Sequence, residues 1–385
     1  MLSRRVLALY QPLVIGITGS VGKTSTKEAI AVVLERRFHV RKSPMTLNDA
    51  IGVPLSVLGI APAGTHLAKA TWQSRWGVVL GLWRAIWLAW GPRQIYPKIL
   101  VLEMGADKPG EIAYLTDLVR PKIAIVTALG DIPVHIEHYP DVSAVAFEKS
   151  RILKYAAPPI GISILNADDA RVSMMRELTP GQIMMFGYSE GAEVRASGVA
   201  FFQGLSFTVH YKKQSVRFRI PGIIAVHQIS SILAAVCVGL HLGMSLVECA
   251  HAFEEYRAPE KRMTVISGAN DTWIIDDTYN ASPLSMEAAL HALKQYPGKR
   301  KIAILGDMKE LGKYAAEAHK KIMLLADASA DVVITVGELW GSGRTADSSE
   351  AVRPLISKLI QPGDIILVKG SRAMQMEKVV DAIKA

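Results

Sequence analysis

Residues 16–26 read GITGSVGKTST, and no other stretch limits the fold as strongly. Before and into it, Leu13 to Thr18 is a short apolar run, partly β-branched, as in a buried strand. After it, Ala29, Ile30, Val33 and Leu34 recur at helical spacing and would cover one helix face. Strand, glycine turn and helix in that order make a βα unit, which predicts an α/β fold. The turn also predicts chemistry. Around Gly22-Lys23-Thr24 the common phosphate loop would place glycine at position 17, where this chain has Ile17; the nearest upstream glycine is Gly19. The physics asks for little more than the turn itself. Backbone N–H groups at a helix N-terminus point at an anion. Lys23 adds charge beside the outer phosphates, and the Thr24 hydroxyl suits Mg2+. The competing reading is a glycine-rich turn with a solvated lysine.

The pattern repeats downstream. Residues 99–104, 122–127 and 160–165 are short apolar runs between helical stretches, the form of buried parallel strands. Residues 195–219 instead alternate apolar and polar, predicting antiparallel hairpins, and a helix is predicted near 227–242. "YRAPEKRMT" at 256–264 is charged and carries a proline, which predicts a linker. Beyond it, 273–277, 301–305, 332–336 and 365–369 read as strands, and 373–384 as a closing helix. This predicts a second doubly wound domain, with boundaries at 1–258 and 259–385.

A chain of 385 residues has room for two or three domains. Cys237 and Cys249 have no metal-ligand spacing and make no disulfide framework, so a reducing, cytoplasmic location is expected. The N-terminal "MLSRRVLALYQPLVIG" runs into the phosphate loop without a small-residue cleavage site, so no signal peptide is expected. A net charge of +9 suits nucleotide substrates or an anionic membrane face, or is merely a basic surface. No nucleic-acid partner is expected.

Several motifs together resemble the Mur ligase family. Thr18-Gly19-Ser20-Val21-Gly22-Lys23-Thr24-Ser25 matches its phosphate loop, T-G-x-x-G-K-[ST]-[ST], in which Ile17 is no defect. "LNDAIGVP" (47–54), "LEMGADKPGEI" (102–112), "ILNADD" (164–169), "DDTYNASP" (276–283), "LGDMKELG" (305–312) and "VKGSR" (368–372) follow in family order and span nearly the whole chain. The resemblance is nearest to the MurF type, which adds D-alanyl-D-alanine to a UDP-linked muramoyl tripeptide. It implies a P-loop-containing central ATPase domain followed by a Rossmann-like C-terminal domain. It also implies ATP-dependent amide formation through an acyl phosphate, in which the protein mainly positions reactants and neutralises phosphate charge.

The resemblance carries roles onto particular residues. It implies that residues 18–25 hold ATP, with Lys23 catalytic and Thr24 and Glu103 on Mg2+. His135, with His138 as near competitor, and Lys149, which aligns with the lysine the family carries as an N6-carbamate, would hold a second metal. The family's upstream asparagine is Ala128 here. Arg262 would reach the ATP phosphates, although Lys261 stands where the family has glycine, and Asp277 and Asn280 would approach ribose and base. Asp277 and Asn280 also suit plain turn-forming roles. His227 matches a motif histidine; Ser231 and Ser282 replace family asparagines.

Two departures bear on the substrate. The family's N-terminal domain, which holds the UDP end of the acceptor, is expected to be missing, because the sequence begins almost at the phosphate loop. Residues 69–97 form an insertion holding five of the seven tryptophans: Trp72, Trp76, Trp83, Trp87 and Trp90. Their steps of four, seven, four and three put them along one side of a helix too short to span a bilayer. A packed or homodimer contact and a peripheral contact with the inner membrane face are both consistent with that stripe. The implied substrates are a peptidoglycan precursor and an amino acid or dipeptide. A relative using a folate, polyamino acid or lipid-linked glycopeptide acceptor, and a nucleotide-binding scaffold without ligation, are the alternatives.

Overall fold

The structure, a computed structural model, describes residues 2–385 other than 45–46, 61–80, 82, 84, 202–203, 222–224 and 344. Trp72, Trp76, Arg75 and Arg84 therefore lie outside the described residues. Trp83, Trp87 and Trp90 lie within them.

The first sheet has nine strands: β1 (Leu13–Thr18), β2 (Val40–Lys42), β3 (Ile99–Glu103), β4 (Ile123–Val126), β5 (Ile162–Asn166), β6 (Gln182–Gly187), β7 (Val194–Phe201), β8 (Leu205–Tyr211) and β9 (Gln214–Ile220). Their order is β2-β3-β1-β4-β5-β6-β7-β8-β9. Pairing is parallel from β2 to β7, and antiparallel from β7 to β9. The parallel strands are buried on both faces, which is why they read as unbroken apolar runs. Ile15 and Ile17 of β1 join the cluster under the helices Lys23–Leu34 and Gln228–His241. Val14 joins the opposite cluster, with Val6, Val53 and Leu115 from the helices Leu2–Tyr10, Gly52–Leu58 and Glu111–Val119.

The second sheet has β10 (Thr264–Gly268), β11 (Thr272–Asp277), β12 (Arg300–Gly306), β13 (Val332–Val336) and β14 (Asp364–Lys369), ordered β10-β11-β14-β12-β13. All of its pairings are parallel except β10 with β11. The sequence reading treated residue 264 as the end of a linker. Asn270 and Asp271, at φ of 56° and 59°, turn the chain so that Thr264–Gly268 pairs back as an antiparallel edge. The closing helix is shorter than the predicted 373–384. Gln375 is left-handed at φ 50°, which splits that stretch into a single turn at Arg372–Met374 and the helix Glu377–Ile383.

Both sheets reverse strand order beside a central strand, and such switch points open a crevice at the carboxyl ends of the strands. In the first sheet β1 lies between β3 and β4; in the second β14 lies between β11 and β12. The two crevices face one cavity.

Candidate active site

The phosphate loop leaves β1 at Thr18. Gly19 has φ 144°, and a Cβ there would lie 2.1 Å from Thr127 Oγ1, so only glycine fits this close approach. Gly22, at φ 88°, caps the helix Lys23–Leu34 without any side-chain cap. The first N–H groups of that helix are thus left for an anion. Ala128, after β4, accepts from Ser20 and Val21 N–H at 2.7 and 3.2 Å and fixes the loop. Lys23 Nζ donates to the carbonyls of Gly19 and Ser20 at 2.7 and 3.3 Å. Burial is the first cause holding its pKa below the usual lysine range.

Glu103 ends β3 beside the loop, since Ile17 pairs with Glu103 in register. It is only 3% exposed. Thr24 Oγ1 donates to its Oε2 at 2.9 Å and Asn48 Nδ2 to its Oε1 at 3.1 Å. Lys27 Nζ stands 3.8 Å from the same Oε2, with its side chain wholly buried. A hydroxyl and a carboxylate oxygen in contact are hard oxygen donors of the kind Mg2+ takes alongside phosphate oxygens and water. The residues present therefore fit that ion.

Lys149 is 2% exposed near the C-terminus of the helix Val142–Ser150. Among the described residues its ammonium has no hydrogen-bond or ion-pair partner. Burial, followed by the charge of Lys23, lowers its pKa to about 7. A lysine so placed is about half free amine at neutral pH, against almost none for an ordinary lysine. His135 takes a left-handed φ of 64°. Its Nε2 lies 3.3 Å from Asp107 Oδ1, and its Nδ1 lies 2.9 Å from Glu310 Oε2, which belongs to the second half of the chain. His138 is half exposed beside Glu137 and does not line the cavity. Among the described residues no three His, Cys, Asp or Glu side chains cluster as metal ligands.

The second half contributes the opposite wall. Arg262 Nη2 donates to Thr24 Oγ1 at 2.9 Å, and its guanidinium stacks over Tyr279 with 4.0 Å to the ring centroid. Asp277 and Asn280 line the cavity but carry structural bonds. Lys369 Nζ donates to Asp277 Oδ2 at 2.5 Å and to the Asn280 carbonyl at 2.9 Å, while Met263 N–H donates to Asp277 Oδ1 at 3.2 Å. Asn280 Oδ1 accepts from the N–H groups of Ala281 and Arg372. His227 is solvent-exposed on the cavity wall. Partial desolvation there, with the charges of Lys369 and Arg262 acting against the pull of Asp277, holds its pKa below the usual histidine range. Ser231 bonds Thr26 at 3.1 Å.

Together these walls enclose about 730 Å³, a volume suited to a nucleotide with a second ligand. Residues 20–25, Glu103, His135, Arg262, Asp277 and Asn280 all line it; Lys149 does not. Sequence reasoning quoted the motifs around Asn48, Asp169 and Lys369 without giving those residues roles. Asn48 and Lys369 hold Glu103 and Asp277. Asp169 accepts from Leu129 and Gly130 N–H at 2.7 and 3.0 Å and caps the helix Ala170–Met174. Lys27 was visible only as a lysine on a helix, and no sequence pattern marked it as buried.

Residues 17–68 and 94–239 match the Mur ligase middle domain, and residues 261–372 the glutamate ligase domain of Mur ligases. The chain is 31% identical over 408 residues to a UDP-N-acetylmuramoyl-tripeptide--D-alanyl-D-alanine ligase of Mycobacterium tuberculosis (strain CDC 1551 / Oshkosh), covering 97% of this chain and 73% of that one. Among solved structures, MurF from Acinetobacter baumannii superposes with a TM-score of 0.82 at 28% identity, over 99% of this chain and 78% of that one. MurF from Thermotoga maritima in complex with ADP gives 0.81 at 25% identity, over 99% and 81%.

Proposed function

The chain belongs to the Mur ligase family, and on that premise we propose that it joins D-alanyl-D-alanine, or a similar amino acid or dipeptide, to a carboxylate of a peptidoglycan precursor. ATP-dependent peptide ligation is the activity of its MurF relatives and of this chain. The observation that carries the reading is the reach of Arg262, in the segment that joins the two halves, to Thr24 in the phosphate loop, 2.9 Å across the cavity. A polyphosphate in that cavity meets cations from both halves of the chain.

In the first step the acceptor carboxylate attacks the γ-phosphorus of ATP. ADP leaves, and an acyl phosphate forms. In the second, the amine attacks the acyl carbon, phosphate leaves with the C–O bond, and the nitrogen gives up a proton. Lys23 and Arg262 neutralise charge on the transferring group, as does the N-terminus of the helix Lys23–Leu34. Mg2+ held by Thr24 and Glu103 would supply further neutralisation on the phosphates. Asp277 and Asn280 shape the nucleotide wall from positions locked by Lys369.

Lys149 is proposed to act as a carbamate. Its free amine adds to carbon dioxide, releases one proton and becomes an oxygen ligand, which with His135 would hold a second Mg2+. The low pKa and the lack of a partner for Lys149 among the described residues support this reading. The reaction is assigned to a reducing, cytoplasmic compartment, in keeping with free Cys237 and Cys249. Residues 69–97 are proposed to dock the enzyme, on a membrane or on a second copy, because the described tryptophans of that segment line no part of the cavity.

The test is phosphate release and product mass with UDP-muramoyl peptides against a set of amino acids and dipeptides. Release that needs both acceptor and amine is expected. Lys23→Ala should lower turnover at least ~100-fold with an unchanged melting temperature. Near-normal turnover in a folded Lys23→Ala protein would sink the assignment.

A further inference from the structure

Residues 81, 83 and 85–90 are helical, and this helix is apolar on both sides. Ala85, Leu88 and Ala89 face the core, packed in one cluster with Val6, Val57 and Tyr96. On the outer side, Trp83, Trp87 and Trp90 are 67%, 57% and 60% exposed, at helical steps of four and three. Ile86 and, further on, Ile95 extend the surface, Ile95 at 91% exposure. Three tryptophans open to this degree present about 450 Å² of largely apolar surface, enough to mark a binding face in a monomer.

The charged residues of this helix's own segment and of the N-terminal helix beside it are all basic; the nearest acids in the packing, Glu111 and Asp117, sit on the helix Glu111–Val119, with Asp117 paired to Lys154. The N-terminal helix Leu2–Tyr10 packs alongside: Arg5 Nε donates to the Ala89 carbonyl at 2.8 Å, and its guanidinium lies 4.9 Å from the Trp90 ring centroid. Arg4, Arg5, Arg93 and Lys98 are exposed. The sequence carries no aspartate or glutamate at residues 1–27 or 50–102. A second copy of the chain would bring the same cations against these, because a two-fold contact is isologous. An anionic lipid surface complements them. Tryptophan is also the side chain suited to the headgroup level, with its ring in the acyl boundary and its N–H in the wet layer.

We infer that the outer face of this helix, with the arginines of Leu2–Tyr10 and of residue 93, docks the enzyme on the surface of an anionic bilayer. This deepens the docking role given to residues 69–97 and does not depend on which substrates are ligated. No described helix is long and apolar enough to cross a membrane; the proposed contact is with the bilayer surface.

The test is co-sedimentation of the full chain with phosphatidylcholine vesicles, pure or containing phosphatidylglycerol, at low and high salt. Two variants are compared with the parent: Trp83→Ser/Trp87→Ser/Trp90→Ser and Arg4→Gln/Arg93→Gln. Melting temperature and phosphate release in solution check that each variant is folded and active. The parent should bind the anionic vesicles and lose binding as salt rises. Each variant should partition at least ~10-fold more weakly. Equal partitioning of parent and tryptophan variant overturns the inference, as does binding that is indifferent to lipid charge. A parent that is dimeric, ignores vesicles and becomes monomeric in the tryptophan variant assigns the face to a second copy and likewise overturns it.

Discussion

Glu103→Gln separates the chemistry of the phosphate site from the stability of its surroundings. Glu103 is the common partner of Thr24, Asn48 and Lys27. Glutamine keeps the shape and some hydrogen bonding but removes the charge opposite Lys27. That ammonium is wholly buried, 3.8 Å from Glu103 and 3.7 Å from Glu28. Two charges at that separation attract by about 4 kcal/mol at an effective dielectric constant near 20. Removing one partner of a buried pair costs roughly 3–5 kcal/mol. Because Glu28 remains, the expected loss is at the low end, about 3 kcal/mol, or roughly 4–6 °C in melting temperature for a domain of this size.

The pH dependence has a definite sign. Burial already lowers the Lys27 pKa from its ordinary value, and the charge of Glu103 opposes that shift. Without Glu103 the folded-state pKa falls further. Between that value and the ordinary 10.5, the unfolded chain binds more protons than the native one, so stability rises with pH. The deficit of Glu103→Gln against the parent should therefore narrow as pH is raised. The double variant Lys27→Met/Glu103→Gln removes the stranded charge; Glu28 keeps its ion pair with Lys42. It should regain most of the lost stability while ligation stays at least ~100-fold down. The assays are thermal unfolding across pH and steady-state phosphate release. A Glu103→Gln protein as stable as the parent, or a double variant no more stable than Glu103→Gln, would refute the electrostatic account.

Further outcomes follow from Lys149 and from Asp169. Ligation should rise as pH climbs through about 7, where Lys149 loses its proton, and should fall in carbon-dioxide-free buffer; an activity indifferent to dissolved carbon dioxide would remove the carbamate. The depressed Lys149 pKa also makes parent stability rise with pH between about 7 and the ordinary 10.5, a slope that Lys149→Met should flatten in thermal scans. Asp169→Ala removes a helix cap and two loop hydrogen bonds, and should cost ~2 kcal/mol in urea unfolding; a loss under half of that would mean the 128–130 loop is held by other contacts.

What the sequence determined by itself was local. Period-2 and period-3.6 patterns, and glycines where φ must be positive, placed the central parallel strands, the 195–219 hairpins and the phosphate loop, but not the parallel strands Val40–Lys42 and Gln182–Gly187. These features depend on neighbours within a few residues. Motif order likewise gave Glu103, Arg262, His135 and Lys149 as candidates. The edge strand Thr264–Gly268 escaped because charged residues beside a proline look like linker until a partner strand is present. The tertiary structure alone decided which groups meet. Thr24 and Glu103 are 79 positions apart, and Thr24 and Arg262 are 238 apart; only the switch points of the two sheets bring them within hydrogen-bond reach. The same holds for electrostatics. Nothing in the sequence marks Lys27 or Lys149 as buried, and it is exclusion from water by distant segments that lowers the pKa of both. Whether a tryptophan stripe faces core or solvent was also a tertiary matter, because Ala85, Leu88 and Ala89 took the buried side of their helix and left Trp83, Trp87 and Trp90 on the outside.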